Sequence, residues 1–454
     1  MLEKESIVLQ LKKVEESWII NHKKYKLAEL TQFYVEFILS NSQQKHPIIF
    51  LGEKDPHIFI SIFFASVITE SCLFLLNPHW KKREIEQVFK IAQPDLIFGP
   101  ISDIKREDKA EQKRFSGIMI PTGGTSGNIK FAIHTWDTLS ASVSGFMNYW
   151  QEDFINSFCC LPLYHVSGLM QIMRSFLSSG KLEISDYQEV KKNLHVDINY
   201  SEFFISLVPT QLSYLLQNNP QWLKNFFIVL VGGSSTNNYL KFQARKHNIR
   251  LALTYGMTET ASGISILKSE DFLKNNNSNG QILLHAHVFI DNQLLQGFSA
   301  YNYQGNLVSE IKIKSKSLFK GYYPNFCDQK IFLTDDVGYF DSFNYLHIIG
   351  RNSHKIITGG ENVYPLEVEQ IILDTNLVKD VVVIGKKDDY WGQIVTAIYI
   401  PLSENISIDD IKNIIDIKIS NYKIPKLWLK VSHIPRNSQG KVDYSHLKQL
   451  NFDN

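Results

Sequence analysis

The chain has 454 residues, 44% of them hydrophobic and 20% charged, which suits a soluble globular protein of two or three domains with a large core. Its 47 Lys and Arg nearly cancel 46 Asp and Glu, and the formal charge of +1 argues against a broad nucleic-acid surface or an acidic tail. The 4 cysteines (Cys72, Cys159, Cys160, Cys327) form no CxxC pair, so buried free thiols in a reducing cytoplasm are expected.

The opening Met1-Leu-Glu-Lys-Glu has no apolar h-region. The longest apolar run, Ile58 to Leu76, is broken by Thr69, Glu70 and Ser71, and reads as a buried helix feeding a strand rather than a membrane span. Short runs rich in Ile, Val and Phe predict strands over 47–50, 72–76, 96–98, 117–120, 158–163, 203–208, 227–231 and 251–254. Helical spacing between them, as over 136–149 and 211–216, predicts an α/β protein with largely parallel, buried sheets. Several runs end in Gly, Thr, Pro or His, at the carboxyl ends of strands where open α/β sheets bind ligands. Segment 268–280, with Asn275-Asn-Asn-Ser-Asn279, reads as a surface loop, and 288–322 as a small antiparallel β unit. Beyond Arg351 come a helix over 364–374, strands over 381–385 and 395–400, and a helix over 408–419. This divides the chain into an N-terminal core, 1–352, and a small mobile α+β domain, 353–454.

The chemically informative stretch is Pro121-Thr-Gly-Gly-Thr-Ser-Gly-Asn-Ile-Lys130. Glycines let backbone approach a ligand, and free N–H groups in such a turn point at an anion. Thr122, Thr125 and Ser126 add hydroxyl donors and Lys130 adds charge, a composition suited to polyphosphate. No Gly-Lys-Ser/Thr closes it, so it is not a Walker A loop. By itself the stretch also fits an ordinary turn between two elements.

Six further segments follow in order: 161–168, 231–235, 254–260, 334–336, 350–369 and 435–443. With this set the chain resembles the adenylate-forming superfamily of acyl- and aryl-CoA ligases, luciferases and peptide-synthetase adenylation domains, over essentially its whole length. The resemblance implies a large N-terminal domain of stacked, mostly parallel sheets with helices plus a small β unit, followed by a mobile C-terminal domain. It implies that ATP and Mg²⁺ activate a carboxylic acid and that CoA takes the acyl group. Thr122, Gly123, Gly124, Thr125, Ser126, Gly127 and Lys130 resemble the loop that grips the β- and γ-phosphates, although Ile129 stands for the family's Pro and Phe131 for its Gly. Gly233, Ser234, Thr254, Tyr255 and Gly256 fall to the nucleotide, with Tyr255 on adenine. Thr258 falls to the α-phosphate and Glu259 to Mg²⁺, which favours hard oxygen ligands. Asp336 falls to the ribose hydroxyls, with Asp335 in place of the usual Gly, and Arg351 to ribose or phosphate. Lys441 resembles the lysine that bridges carboxylate and α-phosphate. Gly359 and Gly360 resemble the pantetheine-tunnel loop, and Ser353 stands where the family hinge has Asp or Lys.

The acid should meet Gly232, Ser262, His165 and Arg174. His165, at a strand end, either closes a wall of the acyl pocket, moves with the catalytic state as a catalytic residue, or is structural. Arg174 lies on an otherwise apolar helix, and either pairs a second substrate carboxylate bidentately or faces solvent or a surface carboxylate. The His165-Val-Ser-Gly168…Arg174 arrangement and the 350–365 text most resemble the o-succinylbenzoate–CoA ligases of menaquinone and phylloquinone synthesis. Other aryl- or acyl-CoA ligases, and a catalytically silent nucleotide-binding protein, remain alternatives. The expected partners are small molecules, with no nucleic acid and no membrane span, in a cytoplasmic monomer or homodimer.

Overall fold

The computed structural model describes residues 6–14, 18–19, 26–101, 112–123, 129–192, 198–290, 301–303, 306–328, 330–436 and 442–447. Four sheets organise them. The first is five-stranded, in the order Leu96–Phe98, Ile48–Leu51, Cys72–Leu75, Gly117–Gly123, Ile129–His134, and is parallel except for its last strand. The second is seven-stranded: Gln281–Ile282, Ser262–Ile266, Leu251–Met257, Ile228–Val231, Phe203–Leu207, Asn156–Cys159, Leu182–Ile184. Its five strands from Leu251–Met257 onward are parallel, and the other two return antiparallel. The third, antiparallel, joins Ala286–Ile290, Asn306–Ser315, Phe332–Phe340 and Leu346–Arg351, with Tyr301–Tyr303 on its flank. The fourth draws all its strands from Ile356 onward, around the long pair Val378–Asp388 and Gly392–Pro401.

The largest apolar cluster joins the first two sheets through the helices Pro56–Ile68, Trp136–Trp150 and Val166–Leu177. Pro56–Ile68 is buried at His57 and from Phe59 through Val67, as a helix apolar on nearly every side must be. Asp55 starts it, accepting from the backbone N–H of His57 and Ile58, and Pro56 presets its first turn. Its 13 residues span about 20 Å at ~1.5 Å per residue, and no helix among the described residues is long and apolar enough to cross a membrane.

Five of the ten predicted strands form within a residue of their expected ends, and four more, among them Gly117–Gly123 and Leu251–Met257, run three residues further at one end or both. The remaining departures have local causes. The strand expected over 158–163 stops at Cys159, because Pro162 cannot continue a ladder, and the chain turns before the next helix. The expected loop 268–280 contains a short helix, Ser269–Leu273, with Phe272 in the core. The helix expected to reach residue 419 ends at Ile415. Phe131, standing for the family's Gly, is fully buried edge-on to Phe74 at 4.9 Å, so it serves the core. Cys72, Cys159 and Cys160 are buried free thiols as expected, but Cys327 is exposed.

Candidate active site

The parallel strands of the second sheet end along one wall of a cleft of about 2070 Å³. The turn 160–165, Val208, the run Gly232–Thr236 and Thr258–Glu259 follow those ends and line it, in the position open parallel sheets reserve for ligands. Facing them are Thr122 and Lys130 of the first sheet, Asp335, Asp336 and Arg351 of the third, and Leu366, Gln370 and Arg436 of the C-terminal unit.

Thr122 and Lys130 are register partners on the antiparallel pair Gly117–Gly123 and Ile129–His134. Gly123 ends the first of these strands. Gly124, Thr125, Ser126 and Gly127, and at the other end of the protein Lys441, lie outside the described residues. Lys130 Nζ stands 5.5 Å from the centre of the Tyr322 ring, and the Tyr322 hydroxyl donates to Glu259 Oε1 at 2.6 Å. Tyr322 thus stands between the Lys130 cation and the expected metal ligand, and burial together with the Glu259 charge raises its pKa.

Thr258–Thr260 is a single 3-10 turn after the strand Leu251–Met257. His134 donates from Nε2 to the Thr258 carbonyl at 2.7 Å while Nδ1 meets Thr138 Oγ1 at 2.9 Å. Burial lowers its pKa to about 4, so the ring is neutral and can donate at one nitrogen while accepting at the other. The strand Ile129–His134 is thereby fastened to the turn that carries Thr258 and Glu259.

Asp336 gathers the expected ribose residues. Tyr255 Oη donates to Asp336 Oδ2 at 2.8 Å, and Arg351 Nε donates to Asp336 Oδ1 at 3.1 Å across register-paired strands. Residues 334–336 are part of the strand Phe332–Phe340, so successive side chains face opposite ways. Asp336 is buried beside Tyr255, whereas Asp335 accepts from both the backbone N–H (3.0 Å) and the hydroxyl of Ser353. Asp335, in place of the expected Gly, and Ser353, at the expected hinge position, are therefore bonded to each other.

Thr254 Oγ1 donates to the Val231 carbonyl at 3.2 Å, and Gly232, Gly233 and Ser234 continue from that strand along the cleft. Glycine is required at Gly256, where a Cβ would stand 2.1 Å from the Ser262 carbonyl oxygen. His165 does not end a strand. It is the residue before the helix Val166–Leu177, lining the cleft with its ring 4.4 Å from that of Tyr164. Gly359 and Gly360 do not line the cleft in this structure, whereas Arg436, in the segment leading to Lys441, does.

Arg174 lies on the helix Val166–Leu177 and is 6% exposed, which rules out the solvent-facing alternative. No carboxylate among the described residues pairs with it. Its guanidinium covers the Phe146 ring at 4.0 Å, Nη2 donates to Ser262 Oγ at 3.1 Å, and buried Nε has no partner among the described residues. Burial lowers its pKa only to about 10, leaving it a cation at pH 7. A buried guanidinium lining a cleft without a counter-charge is costly unless a ligand supplies one.

Sequence reasoning missed His134, Tyr322 and Phe146. His134 ends an apolar strand and so carried a faint signal; Tyr322 and Phe146 had none, because their partners are remote in the chain or on another helix.

This architecture, with a parallel-sheet cleft roofed by a small C-terminal β unit, is the fold of adenylate-forming enzymes. It matches the o-succinylbenzoate CoA synthetase of Bacillus subtilis in complex with its acyl-adenylate intermediate, with a TM-score of 0.79 at 21% identity over 98% of both chains. It also matches ATP-bound MatB from Rhodopseudomonas palustris, with a TM-score of 0.80 at 19% identity over 99% of both. In sequence, 2-succinylbenzoate–CoA ligase from Listeria monocytogenes is 30% identical over 431 residues, covering 88% of each chain. Residues 116–323 match the AMP-binding enzyme model and 367–441 the model of its C-terminal domain. The chain belongs to the AMP-binding enzyme family.

Proposed function

We propose that the protein is an ATP-dependent 2-succinylbenzoate–CoA ligase, acting in the cytoplasm in menaquinone or phylloquinone biosynthesis. The observation that carries this reading is the buried, carboxylate-free Arg174 guanidinium inside the cleft that also gathers Asp336, Arg351 and Glu259. The proposed substrate has a ring carboxylate beside the succinyl carboxylate that is activated, and Arg174 can pair with the one that does not react.

In the first half-reaction the succinyl carboxylate attacks the α-phosphorus of ATP, giving acyl-adenylate and pyrophosphate. Two anions must meet, so the residues serve to neutralise and orient them. Asp336 accepts from the ribose hydroxyls, Tyr255 flanks adenine, Thr258 meets the α-phosphate, and Lys441 bridges carboxylate and phosphate. The buried Glu259 carboxylate is a hard oxygen donor suited to Mg²⁺. When bound, Mg²⁺ offsets the charge of the triphosphate. The second half-reaction has the CoA thiolate attack the acyl carbonyl and expel AMP, after the domain from residue 353 onward turns about Ser353 and brings Gly359 and Gly360 to the cleft. The direct test is CoA-dependent AMP release across 2-succinylbenzoate, benzoate, cinnamates and fatty acids. The highest kcat/KM is expected for 2-succinylbenzoate, and a preference for any acid with a single carboxylate refutes the assignment.

Turning about Ser353 must break both of its bonds to Asp335. Asp335→Ala should therefore speed thioester formation from preformed acyl-adenylate. The gain is small, about 2- to 5-fold, because exposed polar pairs contribute only ~1 kcal/mol or less. Single-turnover mixing with CoA measures it, and an unchanged rate means that these bonds do not restrain the hinge.

A further inference from the structure

We infer that Ser262 is a positioning residue for acid recognition, holding the Arg174 guanidinium over the Phe146 ring so that its free edge meets the spare substrate carboxylate. This rests on the assignment of that carboxylate to Arg174 made above.

The backbone points to it first. Ala261 and Ser262 are consecutive non-glycine residues with φ of 51° and 88°. L-residues avoid this region, and where they occupy it the surroundings must hold them there. Ser142 Oγ donates to the Ala261 carbonyl at 2.6 Å, Thr260 Oγ1 donates to the Ser262 carbonyl at 2.6 Å, and Gly256 leaves the space that the Ser262 carbonyl fills. A glycine at position 262 would satisfy the same geometry without strain. The chain has a serine there, and its hydroxyl has one partner among the described residues, Arg174.

The surroundings of Arg174 explain why that bond matters. Ser262 is its only side-chain hydrogen-bond partner among the described residues. The Phe146 face attracts the cation but does not fix its rotation about the ring normal. The neighbouring His285 offers no charge, since burial and the Arg174 cation lower its pKa to about 4. The His285 ring is wedged against the helix Trp136–Trp150, where a Cβ on Gly145 would lie 1.8 Å from Nδ1, and both its nitrogens lack partners among the described residues. One hydroxyl therefore sets which edge of the guanidinium is presented to the cleft. A planar fork recognises carboxylate only when that edge is aligned.

The test compares Ser262→Gly and Ser262→Ala in the full-length enzyme, using 2-succinylbenzoate and the analogue lacking the ring carboxylate. Both variants should raise KM for 2-succinylbenzoate about 10-fold, as expected for losing a hydrogen bond to a charged group, leave KM for ATP unchanged, and cut the preference for 2-succinylbenzoate over the analogue by a similar factor. Ser262→Gly should show no loss of Tm, which separates positioning from damage to the fold. In an Arg174→Ala background, Ser262→Gly should add nothing. Equal losses with both acids, or an unaltered KM, overturn the inference. If Arg174→Ala itself spares 2-succinylbenzoate, the recognition reading fails and this one with it; if Arg174→Ala is damaging while Ser262→Gly is silent, only the role of Ser262 is refuted.

Discussion

Arg174→Ala lowers kcat/KM for 2-succinylbenzoate by about 100-fold or more. Losing one partner of a buried, hydrogen-bonded charge pair costs roughly 2–5 kcal/mol, and each ~1.4 kcal/mol is tenfold. The guanidinium is already desolvated by the protein, so part of the cost of burying charge is met before the acid arrives. The loss should fall mainly on KM, because the ring carboxylate keeps its charge throughout the reaction and binds ground state and transition state alike. Acids without that second carboxylate should react as before or better, since an empty Arg174 no longer faces them. Steady-state AMP release with paired acids measures the contrast, and unchanged kcat/KM for 2-succinylbenzoate would remove Arg174 from the site. Cavity formation over Phe146 is controlled by Arg174→Met, which keeps most of the packing and should behave like the alanine variant.

Lys441→Ala lowers the rate of acyl-adenylate formation by about 100- to 1000-fold, the usual consequence of deleting one group that stabilises charge developing in a transition state. Thioester formation from supplied acyl-adenylate should be largely spared, because the thiolate then attacks a carbonyl whose phosphate bond already exists. Pyrophosphate release reports the first half, and CoA consumption with synthetic acyl-adenylate the second. Equal damage to both halves would mean that Lys441 has another task or that the C-terminal unit no longer folds. Substitution by Arg should rescue little, since a rigid planar fork does not replace a flexible point charge between two oxygens.

The sequence made the α/β architecture readable because buried parallel strands leave short, nearly continuous apolar runs, as in Ile228–Val231 and Cys72–Leu75. It misled where apolar residues continue past the end of pairing, at Leu161 and Leu163, so that His165 was expected at a strand end and instead opens a helix. By composition, the two adjacent aspartates at 335 and 336 favour a turn. In a strand, however, alternation sends one carboxylate to Tyr255 and the next to Ser353, so both find partners. The residues expected on the nucleotide side stand out as motifs, because each lies in a short segment with its own composition. Their fastenings were not. Tyr322 reaches Glu259 across 63 positions and His134 reaches Thr258 across 124, and no local pattern encodes such pairings.

The bond from Tyr322 to Glu259 bears on which cation the cleft prefers. One carboxylate oxygen is already engaged, so bidentate chelation is discouraged and a single oxygen is left to offer. Calcium seeks about six to eight oxygens and often takes both from one carboxylate, whereas magnesium holds a tight octahedron and keeps much of its hydration. With Glu259 in its proposed role, the hydrogen bond from Tyr322 leaves that carboxylate one free oxygen to offer, a donor count that suits magnesium better than calcium.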